Sequence, residues 1–127
     1  MARHLEETPD RFMTGCPSRE ALRIIAGKWA LLVIPALKDG PVRNNELLRR
    51  IDGISQKVLT ECLKELERNG LVIRTDFNAN PPHVEYRLSP LGRSLSDALL
   101  PLDQWVNANS VALEDARKIF DETRAGR

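Results

Sequence analysis

The apolar period of this chain changes at one point, Gly70, from helical to alternating. Before that point runs GISQKVLTECLKELERNGLV (residues 53–72), in which Leu59, Cys62, Leu63 and Leu66 recur at helical spacing and make one stripe. Ser55 is a suitable N-cap, because its hydroxyl can accept from an early N–H that the helix leaves unpaired. Ile54 and Leu59 hold the two positions of a hydrophobic staple. Asn69-Gly70 supplies the stop, since glycine takes the left-handed conformation that a helix end often needs. Beyond it, Leu71, Ile73 and Thr75 alternate with Val72, Arg74 and Asp76 at the period of a strand. Val84, Tyr86 and Leu88 alternate with His83, Glu85 and Arg87 in the same way, and Asn78-Ala79-Asn80-Pro81-Pro82 between the two runs is rich in turn formers. A capped helix followed by a β-hairpin is the frame around which the rest must pack.

Upstream, Cys16-Pro17 opens a helical pattern carrying Ala21, Leu22, Ile24 and Ile25, and Gly27 breaks it. Lys28 to Lys38 reads as a second, strongly apolar helix with Trp29, Leu31, Leu32, Val33, Ile34 and Leu37. Pro35 removes the bond to Leu31, which predicts a kink or a 3₁₀ turn. After Asp39-Gly40-Pro41, a short helix is expected from about Asn45, its N-cap, to Ile51. The Asp52-Gly53 turn joins it to the helix opened by Ser55, a helix-turn-helix pattern. Downstream, Ser89-Pro90 starts a long helix with Leu91, Leu95, Leu99, Leu102, Trp105 and Val106, interrupted at Pro101. A last helical segment is expected from Ser110 through Thr123. The order predicts a mainly α winged helix-turn-helix with a small β-hairpin and extra helices at both ends. The expected divisions are a mobile arm over 1–15, the winged domain with its C-terminal helix over 16–109, and a helical tail over 110–127.

The chain has 127 residues and a net charge of +1, so any attraction to phosphate must come from local placement of charge. One such placement is visible: Lys57, Lys64 and Arg68 stack on the side of the capped helix opposite its apolar stripe. Two readings are open, a solvated face laced with Glu61, Glu65 and Glu67, or a surface offered to a partner. No stretch has the length of a membrane span and the first residues lack the apolar core of a signal peptide, which predicts a cytoplasmic protein without membrane contact. Two cysteines and two histidines lack metal-site spacing, so neither a metal nor a cofactor is expected. An enzyme is not expected either: there is no phosphate-cradling glycine loop, and a Cys62–His83 pair would require the thiol to leave the apolar stripe.

Four blocks, CPSREALRIIAGKW, DGPVRNNEL, GISQKVLTECLKELERNGLVIR and PPHVEYRLSPLGRSL, closely resemble the HxlR-type family of winged helix-turn-helix transcriptional regulators. The resemblance covers residues 16 to about 106. It implies a small cytoplasmic regulator that binds double-stranded operator DNA as a homodimer, with N- and C-terminal helices in the dimer contact. Asn44 stands where the family usually has an aromatic residue, and Pro35 where it tends to have a good helix former.

On that architecture the second helix of the motif lies in the major groove. Gln56, Lys57 and Thr60 are then the expected base readers, since Gln suits adenine, Lys suits guanine acceptors and the Thr methyl suits thymine. Lys64 faces the groove, and Ser55 with the free N–H groups of the helix start suits a phosphate. Arg43, Asn44, Asn45, Arg74, Asn78, Asn80 and His83 are expected backbone contacts. For Arg68, a phosphate contact and pairing with Glu65 stay equally open. Leu22, Leu95, Leu99, Leu102, Trp105 and Val106 are the expected dimer residues. Some regulators resembling this one sense oxidants or electrophiles at a cysteine matching Cys16, which makes Cys16 a redox candidate and an oxidant or small molecule a candidate effector. The alternative function is a winged-helix module that binds another protein and not DNA.

Overall fold

The computed structural model describes residues 13–126; the first twelve positions of the expected arm lie outside the described residues. The elements are α1 (Pro17–Ile25), α2 (Ala30–Ala36), β1 (Val42–Arg43), α3 (Asn44–Arg50), α4 (Gln56–Arg68), β2 (Val72–Asp76), β3 (Val84–Leu88) and α5 (Pro90–Ala125). This is the winged helix-turn-helix order, mainly helical with a small antiparallel sheet.

The core of the winged unit is aliphatic. Val33, Ile34, Leu37, Leu47, Leu59, Leu63 and Leu66 are fully buried, and Val42, Ile51, Ile54, Leu71, Val72 and Leu88 close the layer between helices and sheet. The stripe expected on α4 is thus the inward one, and Ile54 is buried beside it as the staple requires. The Ser55 hydroxyl accepts from the Val58 N–H at 3.1 Å. At the other end, the Gly70 N–H reaches the Glu67 carbonyl and the Leu71 N–H reaches the Leu66 carbonyl, with Gly70 at φ +76°. This is the Schellman arrangement, and it turns the chain directly into β2.

Three local expectations are corrected. The wing has a third strand: β1 pairs antiparallel with β3 through Val42↔Tyr86 and Arg43↔Glu85, giving the order β1-β3-β2. A two-residue strand is too short to show alternation, so its sequence signal is absent. Helix α3 begins one residue early, at Asn44, with extended Arg43 in the cap position and no side-chain cap, so Asn45 is not the N-cap. Helix α2 is shorter than the apolar run, and Trp29 precedes it. Near its end, Leu37 bonds back to both Val33 and Ile34 and Lys38 bonds to Pro35, the 3₁₀ tightening that Pro35 predicted.

The chain divides after Arg93. Within the first unit, Gly92 in the opening turn of α5 lies against Leu71, the residue that leads into β2: a Cβ there would stand 2.0 Å from the Leu71 carbonyl oxygen. The Ser89 hydroxyl donates to the Gly70 carbonyl at 2.6 Å and accepts from the Gly92 N–H at 2.9 Å, which ties the start of α5 to the end of α4. The second unit, from Ser94, is the remainder of α5. The helix runs unbroken through Pro101 and past Ser110 to Ala125, 36 residues in all. Among the described residues, no helix is long and apolar enough to cross a membrane.

Candidate nucleic-acid interface

Burying Leu59, Leu63 and Leu66 fixes which side of α4 faces out. Gln56, Lys57, Thr60, Glu61, Lys64 and Arg68 are all exposed. Among the described residues, Lys57, Lys64 and Arg68 make no ion pair within 4.0 Å, although Glu61, Glu65 and Glu67 share the helix. The Glu-laced face is therefore not formed, and Arg68 does not pair with Glu65. Salt bridges gather instead on α3, where Glu46 holds Arg49 and, at 3.6 Å, Arg50. Arg50 also donates to the Ala36 carbonyl at 3.1 Å, so its role is to tie α3 to the end of α2.

The turn of the motif brings the starts of α3 and α4 together. Asn44 Nδ2 donates to Gln56 Oε1 at 2.7 Å, and Gln56 Nε2 donates back to Asn44 Oδ1 at 3.1 Å. The same Nε2 donates to Thr60 Oγ1 at 3.0 Å, one turn along α4. Three residues expected at the interface thus form one hydrogen-bonded group. Ser55 and Asn45 are exposed beside it.

The third strand builds a second cluster. Pairing of β1 with β3 sets Arg43 beside the wing, and its Nη2 donates to His83 Nδ1 at 2.9 Å. Arg43 can only donate, so Nδ1 is the acceptor and the proton sits on Nε2. Nε2 then donates to Glu85 Oε2 at 2.6 Å. The Phe77 ring lies 4.5 Å from the His83 ring, centroid to centroid. His83 is half-buried because Phe77 and Arg43 flank it. Glu85 and Phe77 were missed as members of this cluster; Glu85 lies two residues along the chain from His83, and Phe77 meets His83 across the hairpin. At the tip, Asn78 takes φ +50° and donates its N–H to Asp76 Oδ1 at 2.9 Å. Asn80 is exposed nearby, and Arg74 lies 3.9 Å from Asp76.

Cys16 is half-buried in the N-cap position of α1 and caps nothing with its side chain. Cys62 is half-buried on α4, and burial pushes its thiol pKa up. Helix α1 buries no residue fully, and Leu22 is exposed. On α5, Leu102, Trp105 and Val106 are exposed in the single chain, as are Leu113, Ile119 and Phe120 further along.

Residues 24–114 match the family described as HxlR-like helix-turn-helix. The chain is 38% identical over 114 residues to the HTH-type transcriptional regulator YtfH of Escherichia coli, covering 90% of this chain and 88% of that protein. It is 46% identical over 90 residues to the HTH-type transcriptional regulator YkvN of Bacillus subtilis, covering 71% and 76%. Among solved structures it is similar to the transcriptional regulator ytfH from Salmonella typhimurium, at a TM-score of 0.80 and 37% identity over 87% of this chain and 99% of that one. It is also similar to the redox regulator HypR in its reduced form, at a TM-score of 0.72 and 37% identity over 78% of this chain and 98% of that one.

Proposed function

This chain belongs to the HxlR-like helix-turn-helix family and is a transcriptional regulator of that type, and from that premise we propose that it binds operator DNA as a homodimer through the outer face of α4. One observation carries the reading. The apolar side of α4 is spent on the core, while its other side is bare and keeps Lys57, Lys64 and Arg68 without carboxylate partners among the described residues. A helix set in that way fits a major groove, with base edges met by Gln56, Lys57 and Thr60 and phosphates by Lys64, Ser55 and the N–H groups of the helix start.

The Arg43–His83 pair and the exposed side chains of Asn45, Arg74, Asn78 and Asn80 flank that face and supply phosphate contacts. In the dimer, Leu22 of α1 and Leu95, Leu99, Leu102, Trp105 and Val106 of α5 meet the partner. Exposure of Leu22, Leu102, Trp105 and Val106 in the single chain supports this. The regulator acts in the cytoplasm.

Binding measured by fluorescence anisotropy across salt tests the reading. A dimer neutralising about six phosphates loses roughly 10³-fold in affinity between 50 and 200 mM salt. Affinity that stays flat over this range points to protein binding instead.

A second layer concerns Cys16. Its uncapped, partly accessible place at the start of α1 and the likeness to a redox regulator both support an oxidant-responsive thiol. Oxidation at Cys16 shifts the contact made by α1 and so changes operator affinity. Titrating an oxidant against DNA binding tests this: Cys16→Ser abolishes the response, and an unchanged response in that variant refutes the role.

A further inference from the structure

The amide of Gln56 has three of its four hydrogen-bonding capacities engaged in the unbound chain. Its Nε2 donates to Asn44 Oδ1 at 3.1 Å and to Thr60 Oγ1 at 3.0 Å, and its Oε1 accepts from Asn44 at 2.7 Å. A side-chain amide has two N–H donors and two acceptor lone pairs. Bidentate reading of adenine needs one N–H for N7 and one lone pair for the N6 amino group. Both N–H groups of Gln56 are already used. Reversing the two amides together keeps the pair, but Asn44 and the Thr60 hydroxyl then fill both lone pairs of Oε1. The bidentate contact is blocked in either arrangement while these three bonds stand.

Asn44 is the first residue of α3 and Gln56 the first of α4. Their pairing spans the turn of the motif and removes rotamer freedom from Gln56 before any DNA arrives. A residue that only anchored phosphate would have no need of this partner. Gln56 and Thr60 are exposed and Asn44 is half-buried, so no fully buried polar group demands the pairing.

We propose that Asn44 is a specificity-determining positioning residue: together with Thr60 it holds Gln56 in a single-contact mode, so that the site does not select adenine at the base Gln56 meets. The proposal rests on the DNA-binding reading above. It replaces the sequence-based expectation that Asn44 touches phosphate and that Gln56 reads adenine with its whole amide.

The test measures equilibrium binding of the full chain to its best duplex and to every single-base change of it, at one salt concentration. Gln56→Ala identifies the base that Gln56 meets, as the position whose preference it flattens. Asn44→Ala frees one donor and one lone pair of Gln56, and Thr60→Val frees one donor or, with the amides reversed, one lone pair. Each raises the relative affinity for adenine at that position about tenfold, the size of one good bidentate pair. The gain disappears in the Asn44→Ala/Gln56→Ala double variant. Thr60→Val leaves the Asn44 pair in place, so it remains informative if Asn44→Ala loosens the motif.

The proposal is overturned if Asn44→Ala weakens all duplexes equally, as loss of a phosphate contact does. It is overturned equally if the unaltered protein already prefers adenine at that position. A chain that binds no duplex at all removes the DNA-binding reading and the proposal with it. Without DNA, slowed exchange of the Gln56 side-chain N–H protons with water is expected, and is lost in Asn44→Ala. Fast exchange in the unaltered protein overturns the pairing itself.

Discussion

At the scale of single residues, the most constrained position is Gly92. Its Cβ would meet the Leu71 carbonyl at 2.0 Å, and backbone cannot swing aside as a side-chain tip does. Gly92→Ala is therefore expected to destabilise the winged unit by about 1–3 kcal/mol through overpacking, read from urea unfolding midpoints. An unchanged midpoint would mean that α5 starts further from Leu71 than the structure places it. Cys62 gives a second prediction. Burial holds its thiol above the ordinary range, so at a given pH less thiolate is present than in an unfolded chain. Alkylation at pH 8 should be slow at Cys62 in the folded protein and speed up on unfolding. The linked effect on stability has a definite sign. The native state keeps a proton that the unfolded chain releases, so Cys62's contribution is present below the ordinary thiol value and lost as pH rises through and above it.

At the scale of elements, α4 carries the division of labour. If its outer face reads bases while β1 and the wing hold phosphate, substitutions should separate into two kinds. Lys57→Ala is expected to relax preference at one base, by roughly 1–3 kcal/mol of discrimination. Arg43→Ala is expected to weaken all duplexes alike and lower the salt slope by about one. Competition binding with matched and mismatched duplexes distinguishes these, and the reverse pattern would exchange the two roles. The α4 elements were legible in the chain because each has a local cause. Ser55 caps, Gly70 stops, and Leu59, Leu63 and Leu66 share a face. What escaped reading was non-local. Strand β1 is two residues long and exists only because β3 offers an edge, so Arg43 meets His83 through a pairing of residues 40 apart. The Asn44–Gln56 pair depends on the angle between two helices, which no periodicity encodes. Pro101 misled in the opposite direction: a break was expected, yet the helix continues through it. Proline costs one backbone bond, and the surrounding 36-residue helix tolerates the loss.

At the scale of the whole molecule, the open question is how a chain with a net charge of only +1 attracts DNA. In the proposed dimer, local placement of cations on α4 and their duplication by the second copy supply that attraction. Trp105, Leu102 and Val106 remain exposed on α5 in the single chain. Trp105→Ala is expected to weaken self-association by more than tenfold in sedimentation equilibrium, the usual loss when a buried aromatic anchor is removed. It should also make operator binding depend more steeply on protein concentration. A monomer at every concentration for the unaltered chain would remove this part of the account. The most direct measurement is selection of bound duplexes from a random pool by the full chain. The account predicts enriched sequences containing two half-sites related by a twofold axis, their centres about 34 Å apart along the duplex, one helical turn. Recovery of a single unpaired site, or no enrichment at low salt, would contradict it.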